Sequence, residues 1–223
     1  MRDRSVALAV VTGLGSLLFA LPTARAGDPE QRLFTVRVDG KPAGEYRMAI
    51  RTGDDGAEVM TGSAAVHVKH LLGQYRYSYE GTEVWKDGRL QLLDAVSDDD
   101  GKRATVHAAV EATGMRVVVN GQSRTARPDA WTTTYWRLPP AGVRGPALAL
   151  LDVDTGESLT ARLEVVGPTR LMVAGRPLDC TRYRVTGQAQ AELWYDAQGR
   201  LVRQETVEDG HKTVLELREV RRP

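Results

Sequence analysis

Histidine and acidic side chains are the first candidates for chemistry in this 223-residue chain. His67 and His70 have an H-x-x-H spacing, but the residues around them follow a β-strand pattern, in which positions three apart point to opposite faces. The acidic stretches at 98–100 and 152–157 lack the ligand spacing of a calcium loop. The sequence therefore predicts no metal site, and no cofactor.

Nucleophilic and phosphate-binding motifs are absent from the sequence. It contains no G-x-S-x-G elbow, no phosphate-binding glycine loop and no dinucleotide fingerprint, so we assign no catalytic residue. Paired carboxylates of a glycosidase come together only in the fold. A secreted hydrolase acting on an envelope glycan or ester is therefore an alternative without named residues.

Aromatic residues give a more specific indication. The chain has four Trp and seven Tyr but only two Phe. Trp and Tyr combine a large apolar body with a polar group, which suits the walls of a binding cavity. The candidate ligand-binding residues are Tyr75, Tyr77, Tyr79, Trp85, Trp131, Tyr135 and Trp136.

Asx-Gly pairs separate stretches rich in β-branched and aromatic residues, as is typical of tight hairpin turns. The pairs lie at 39–40, 55–56, 87–88, 100–101, 120–121 and 209–210. We expect a meander of antiparallel strands. Twelve strands are predicted, at 31–38, 44–52, 57–68, 74–85, 89–98, 102–112, 115–120, 158–166, 178–186, 188–195, 200–208 and 211–220.

Alternation with period two assigns faces to several of these strands. In the strand at 74–85, Tyr75, Tyr77, Tyr79, Gly81 and Trp85 share one face, so this face is an aromatic stripe. In the strand at 188–195, the single Trp lies on the polar face. We expect this tryptophan to be covered by the long connection or by a ligand.

Residues 127–154 interrupt the alternation. They contain four prolines, an aromatic cluster at 131–136 and an apolar run at 147–151. Proline removes a donor from a strand ladder, so we predict a long connection with a short helical turn on each side of the prolines. Connections of this length are often functional.

The N-terminus has the order of a secretory signal peptide. Arg2 and Arg4 precede an apolar stretch at 6–21, which is shorter than the roughly 20 residues of a spanning helix. The small-residue site at 24–26 predicts cleavage after Ala26. We expect a periplasmic protein with no membrane span in its mature part, residues 27–223, which forms a single domain.

The charge and cysteine content exclude some classes of protein. The formal net charge is +1, and removal of residues 1–26 brings it to about −1. Nucleic-acid binding depends on clustered Lys and Arg, so we predict no nucleic-acid partner. Cys180 is the sole cysteine, which rules out an internal disulfide and favours a small buried side chain.

Four segments resemble a bacterial family of secreted all-β domains of unknown function: 34–44, 77–90, 134–136 and 192–202. The resemblance spans nearly the whole predicted mature chain and implies a Gram-negative periplasmic setting, but it carries over no active-site residue. More remotely, the sequence is similar to curved half-barrels of the lipoprotein-carrier type. That similarity implies an apolar concavity that holds acyl chains.

These observations predict an all-β fold: a curled antiparallel sheet, either a half-barrel or an open barrel, with one long Pro-rich connection and little helix. The leading functional hypothesis is a periplasmic protein that binds or carries a lipid-like or other apolar ligand. Besides the hydrolase, a second alternative is an envelope assembly or scaffold protein that binds a protein partner along a sheet edge.

Overall fold

The structure is a computed structural model that describes residues 29–70, 73–112, 114–144 and 147–222. The predicted signal peptide, residues 1–26, lies outside the described residues. Among the residues that are described, no helix is long and apolar enough to cross a membrane.

Fifteen strands make up almost all of the regular structure. They are β1 (Glu30–Val38), β2 (Lys41–Thr52), β3 (Glu58–His70), β4 (Gly73–Lys86), β5 (Arg89–Asp99), β6 (Lys102–Glu111), β7 (Gly114–Val119), β8 (Gln122–Ala126), β9 (Trp131–Thr132), β10 (Leu148–Leu151), β11 (Ser158–Val173), β12 (Arg176–Gly187), β13 (Ala191–Asp196), β14 (Leu201–Glu208) and β15 (His211–Arg221).

All fifteen strands belong to one sheet, in the order β8-β7-β6-β5-β4-β3-β2-β1-β15-β14-β13-β12-β11-β10-β9. Most strands pair with their neighbours in sequence, and pairing of β1 with β15 joins the two halves. Every pairing is antiparallel except that of β9 with β10. The end strands β8 and β9 are not paired with each other, so the described sheet does not close into a barrel. This confirms the predicted all-β fold with a curled antiparallel sheet.

Tight turns follow the predicted Asx-Gly pairs. At 39–40, 87–88, 100–101, 120–121 and 209–210 both residues have positive φ, the conformation of a two-residue turn that matches strand twist. At 55–56 only the glycine has positive φ, and the turn is wider. Register shifts in β1, β4, β11 and β13 mark bulges that increase the local bend of the sheet.

The sequence prediction missed three strands, β8, β9 and β10, which lie in or beside the long connection. The apolar run at 147–151 includes β10, whose four side chains are all buried. A further turn at 174–175, with positive φ at both residues, lengthens β11 and β12 beyond the predicted limits. Of the two helical turns expected beside the prolines, the described residues of the connection show one 3₁₀ turn, Ala141–Val143.

Candidate functional site

The segment at 127–144, called the plug below, lies against the apolar face of the sheet. Trp131 packs on Trp85 of β4, with ring centroids 4.5 Å apart. The Tyr195 hydroxyl of β13 donates to the Tyr135 carbonyl over 2.9 Å. Strands β4 and β13 are six places apart in the sheet, so the sheet curls around the plug. The face that contacts the plug is the inner face, and the opposite one is the outer face.

Glu83 fixes the plug from the floor of the inner face. Its side chain is fully buried and accepts four hydrogen bonds. The indole N–H groups of Trp85 and Trp136 donate over 2.7 and 3.0 Å. The hydroxyls of Thr132 and Thr134 donate over 3.0 and 2.7 Å. Three of these four donors belong to the plug, so one carboxylate connects β4 to the segment that covers it.

Two opposing effects act on the Glu83 carboxyl. Burial raises its pKa, because the ionised form loses its hydration, while the hydrogen bonds from Thr134, Trp85, Trp136 and Thr132 lower it. Burial has the larger effect, so the pKa of Glu83 is raised on balance. Oε1 accepts from Thr134, and Oε2 accepts from the other three donors. Removing the acceptor would leave both indole N–H groups and at least one of the two threonine hydroxyls, which are 2.9 Å apart, unsatisfied in the core.

Arg137 follows directly in the plug and complements Glu83. Its guanidinium pairs with Glu58 of β3 and lies 5.8, 5.7 and 5.2 Å from the ring centroids of Trp85, Trp131 and Trp136. The indoles of Trp85 and Trp136 thus donate their N–H to Glu83 and present the face of the ring to Arg137. This use of the indole matches its charge distribution, with a positive edge and a negative face.

Backbone carbonyls of the plug are held as well. The buried Arg32 of β1 donates to the Trp136 carbonyl over 2.7 Å, beside the hydrogen bond that Tyr135 accepts from Tyr195. Tyr135 has a φ of 47°, a left-handed conformation that is unusual for an aromatic residue. Such a conformation persists when the surrounding contacts hold it. The plug is therefore attached at many points, mostly through side chains.

A second polar cluster lies farther along β4. The Tyr77 hydroxyl donates to Asp154, in the turn between β10 and β11, over 2.8 Å. Burial raises the pKa of Asp154 to about 6, and the hydrogen bond from Tyr77 opposes this shift. In the same turn Gly156 packs so closely on Val119 of β7 that a Cβ at this position would overlap the valine side chain. This turn therefore covers another part of the inner face.

The structure places the seven predicted ligand-binding residues in two groups. Three tryptophans meet at the plug, and Tyr135 is buried beside Tyr195. Tyr79 is buried on the inner face, whereas Tyr75 and Tyr77 are half-buried toward the other end of β4. The plug group is Trp85, Trp131, Tyr135 and Trp136, and the stripe group is Tyr75, Tyr77 and Tyr79.

Sequence reasoning missed the polar residues of the site: Glu83, Thr132, Thr134 and Arg137. A signal was present for Glu83, because position 83 lies between Gly81 and Trp85 on the aromatic face. An acidic residue on a buried face requires donors from elsewhere in the fold. The alternation could therefore have identified Glu83 as a contact point for another segment.

For Trp194, which we expected the connection or a ligand to cover, the structure shows cover by arginine side chains. Trp194 is buried on the outer face beneath two guanidinium groups from neighbouring strands. Arg182 lies 5.2 Å and Arg203 5.6 Å from the ring centroid. Glu192 pairs with Arg182, and Glu205 with Arg203, which holds both arginines in place.

An open groove of about 1010 Å³ crosses the outer face, from β15 and β1 to β7. Its walls carry exposed charged groups, including Arg47 and the pair formed by Asp94 and His107, whose Oδ1 and Nδ1 atoms are 2.5 Å apart. Short hydroxyl side chains lie between them, among them Thr61 and Thr82. In the described residues no group of three or more His, Cys, Asp or Glu side chains could hold a metal ion.

The fold and the inner face define a class of protein: an open, curled antiparallel sheet that encloses a segment of its own chain. The sequence matches the family described as domain of unknown function DUF6134 over residues 34–218, and the chain belongs to this family. This agrees with the predicted resemblance to an all-β family of unknown function.

Two solved structures are similar to this chain. A β-barrel-like protein from Brucella abortus, of domain of unknown function DUF1849, has a TM-score of 0.63 at 10% identity and covers 86% of this chain and 97% of its own. A DUF1329 family protein from Desulfovibrio piger covers 90% of this chain and 86% of its own at 12% identity. Its TM-score of 0.19 is too low to indicate a shared fold. No curated protein matches the sequence. The first likeness supports the barrel-like fold alone.

Proposed function

We propose that this protein is an exported carrier that binds a lipid-like or other apolar ligand on the inner face of its curled sheet. The plug occupies the site when no ligand is bound. The observation that carries the proposal is the way the plug is held. It covers an aromatic concave surface, yet only two of its residues, those of β9, lie in a strand. The remaining attachment combines side-chain contacts, such as those of Glu83 and Arg137, with an isolated backbone bridge between Arg137 and Arg200.

The proposed ligand is apolar because of what the plug covers. Trp131 of the plug packs on Trp85 and belongs to the same buried cluster as Leu90, Leu93 and Met115. Moving the plug aside would expose this surface to water, at a cost of about 25 cal/mol per Å² of apolar area. An acyl chain in place of the plug restores the burial. A polar ligand would not, so the inner face selects for apolar ligands.

The carrier proposal is preferred to the hydrolase alternative because of the surroundings of the buried carboxyl groups. Glu83 is enclosed by four donors of the protein itself, and Asp154 accepts a hydrogen bond from Tyr77. A general acid or base needs access to the substrate. In this arrangement Glu83 is committed to holding the plug.

Export and a periplasmic location are part of the proposal and rest on the signal-like residues 1–26. The intact mass of the protein recovered from the periplasm tests them directly. Cleavage after Ala26 predicts a chain that begins at Gly27. A mass that retains residues 1–26 would contradict the cleavage site and the proposed release from the membrane.

The binding test uses the mature protein after lipid extraction and the fluorescent probe N-phenyl-1-naphthylamine. The variant Glu83→Gln replaces one carboxyl oxygen, which accepts hydrogen bonds, by an amide NH₂ group, which donates them. This group then faces the donors of the plug and weakens the attachment of the plug. We expect the variant to take up the probe faster and more tightly than the wild type. Glu80→Gln, on the outer face of the same strand, is the matched control and should behave like the wild type.

A milder variant keeps the test decisive if Glu83→Gln does not fold. Thr134→Val removes one donor and preserves the shape of the side chain, so a smaller increase in probe uptake is expected. If folded variants and the wild type all fail to bind the probe, the carrier proposal is wrong. Equal uptake by Glu83→Gln and Glu80→Gln would show that the plug does not cover the site.

A further inference from the structure

Two tyrosine hydroxyls lie close together on the inner face, beyond the plug. Tyr46 of β2 and Tyr79 of β4 flank β3, and their rings meet edge to face with centroids 6.3 Å apart. Their hydroxyls lie over Gly62 of β3 and Gly81 of β4, which are paired in the sheet. A Cβ at Gly62 would be 2.6 Å from the Tyr46 hydroxyl oxygen, and a Cβ at Gly81 would overlap that of Tyr79. The glycine pair thus makes room for both hydroxyls.

The Tyr79 hydroxyl lacks a hydrogen-bond partner among the residues that the structure describes. The residue is only 3% exposed, so bulk water does not solvate the group. Buried polar groups in native proteins are nearly always paired, and an unpaired one lowers stability. Burial, reinforced by nearby charged groups, also raises the pKa of Tyr79, so its hydroxyl keeps its proton. A buried donor is therefore available for an acceptor from outside the chain.

The surrounding charges restrict what this acceptor can be. The carboxyl groups of Asp154 and Glu83 both act electrostatically on Tyr46 and Tyr79. A carboxylate or phosphate placed at the two hydroxyls would be repelled by both acidic groups. A neutral oxygen, as in an ester or amide carbonyl, can accept the hydrogen bonds without that penalty.

We propose that Tyr79, together with Tyr46, donates hydrogen bonds to the neutral carbonyl oxygen of an acyl ester bound on the inner face. This inference rests on the proposed carrier function and adds the chemical class of the ligand to it. The unbound protein carries an unsatisfied donor, and the ester satisfies it. The site thereby favours an ester over a hydrocarbon of similar length, because only the ester supplies the missing acceptor.

The experiment compares two competing ligands on the wild type and three variants of the mature, lipid-extracted protein. Methyl dodecanoate and tetradecane compete for bound N-phenyl-1-naphthylamine. We expect the wild type to prefer the ester by about ten-fold, from a hydrogen bond of ordinary net strength. Tyr79→Phe should abolish this preference without weakening tetradecane binding, and Tyr46→Phe should reduce it. Tyr183→Phe is the control, because Tyr183 is a buried tyrosine whose hydroxyl accepts from Arg144 over 3.4 Å.

The thermal unfolding midpoint of the ligand-free protein gives a second readout. In the binding test Tyr79→Phe loses a property of the wild type, whereas here it should gain stability. Removing an unpaired hydroxyl should raise the midpoint of Tyr79→Phe by about one to three degrees, whereas Tyr183→Phe should not raise it. A lowered midpoint for Tyr79→Phe would mean that water already satisfies the hydroxyl, and this would overturn the inference. An ester preference that survives in Tyr79→Phe would overturn it too. If no probe binds to any variant, the carrier proposal fails, and the unfolding midpoints still test the unpaired hydroxyl.

Discussion

The two faces of strand β4 differ sharply in burial and in hydrogen bonding. Tyr79 and Glu83 point inward and are buried, whereas Ser78 and Glu80 point outward and are exposed. Glu80 and Glu83 are only three residues apart and carry the same group. Glu83 accepts four hydrogen bonds in the core, while Glu80 lines the open groove of the outer face. The face of the sheet, rather than the residue type, determines what each carboxylate does.

The largest expected effect comes from removing the two carboxylates separately. Glu83→Ala removes the acceptor of four buried donors, of which only one threonine hydroxyl can turn to the other, so we expect it to lower the free energy of unfolding by about 3–5 kcal/mol. Glu80→Ala should change it by less than about 0.5 kcal/mol. Urea denaturation of both variants measures the difference. A cost below about 1 kcal/mol for Glu83→Ala would show that the contacts of the carboxylate do not hold the plug.

An arginine on each face extends the comparison. Arg137→Met removes the pair with Glu58 and the contact with three indoles, for an expected loss of about 1–3 kcal/mol. Arg47→Met removes an exposed pair with Glu45 and should cost about 0–0.5 kcal/mol. Urea denaturation of both variants, in the presence of 1 M salt, measures these two losses in the free energy of unfolding. Equal losses for the two variants would contradict the structural role of Arg137.

The pH dependence of stability distinguishes the inner face in a third way. The pKa of Asp154 is raised to about 6 in the folded protein, from 3.8 for an unperturbed group. The folded state therefore favours the protonated form, and this contribution to stability is lost as the pH rises through about 6. Asp154→Asn keeps an oxygen for Tyr77 and removes the titration. Relative to this variant, the wild type should lose roughly 2–3 kcal/mol between pH 4 and pH 7.5.

Urea denaturation of both proteins at the two pH values measures this difference. Parallel stability curves for the wild type and Asp154→Asn would show that Asp154 is not desolvated in the folded protein.

Much of the fold could be predicted from local chemistry. Asx-Gly pairs identified most hairpins because tight turns require positive φ. Period-two alternation placed Tyr79 and Trp85 on one face of β4, and the structure shows that this face is the inner one. The turn at 174–175 was missed because Ala174 adopts positive φ without being Asn, Asp or Gly. Strand β10 was missed because its run of four buried residues does not alternate. Tertiary contacts, rather than the local sequence, determine the turn at 174–175 and strand β10.

The candidate site was only partly predictable for a related reason. The aromatic residues were recognisable by type, and three of the tryptophans do meet. Their polar partners are separated from them in sequence: Thr132 and Thr134 lie about fifty residues beyond Glu83. A single sequence does not show which of its many acidic residues becomes buried against a distant segment. The function of Glu83 in holding the plug therefore emerges only from the three-dimensional arrangement.

Native mass spectrometry of the protein purified from the periplasm tests the central claim most directly. The account predicts a bound species of lipid size that survives gentle ionisation, leaves on solvent extraction and is identified as a molecule with an apolar chain. Loss of that species should leave a folded protein that takes it up again. A clean ligand-free mass, together with no uptake of added lipid, would contradict the claim that the inner face is a carrier site.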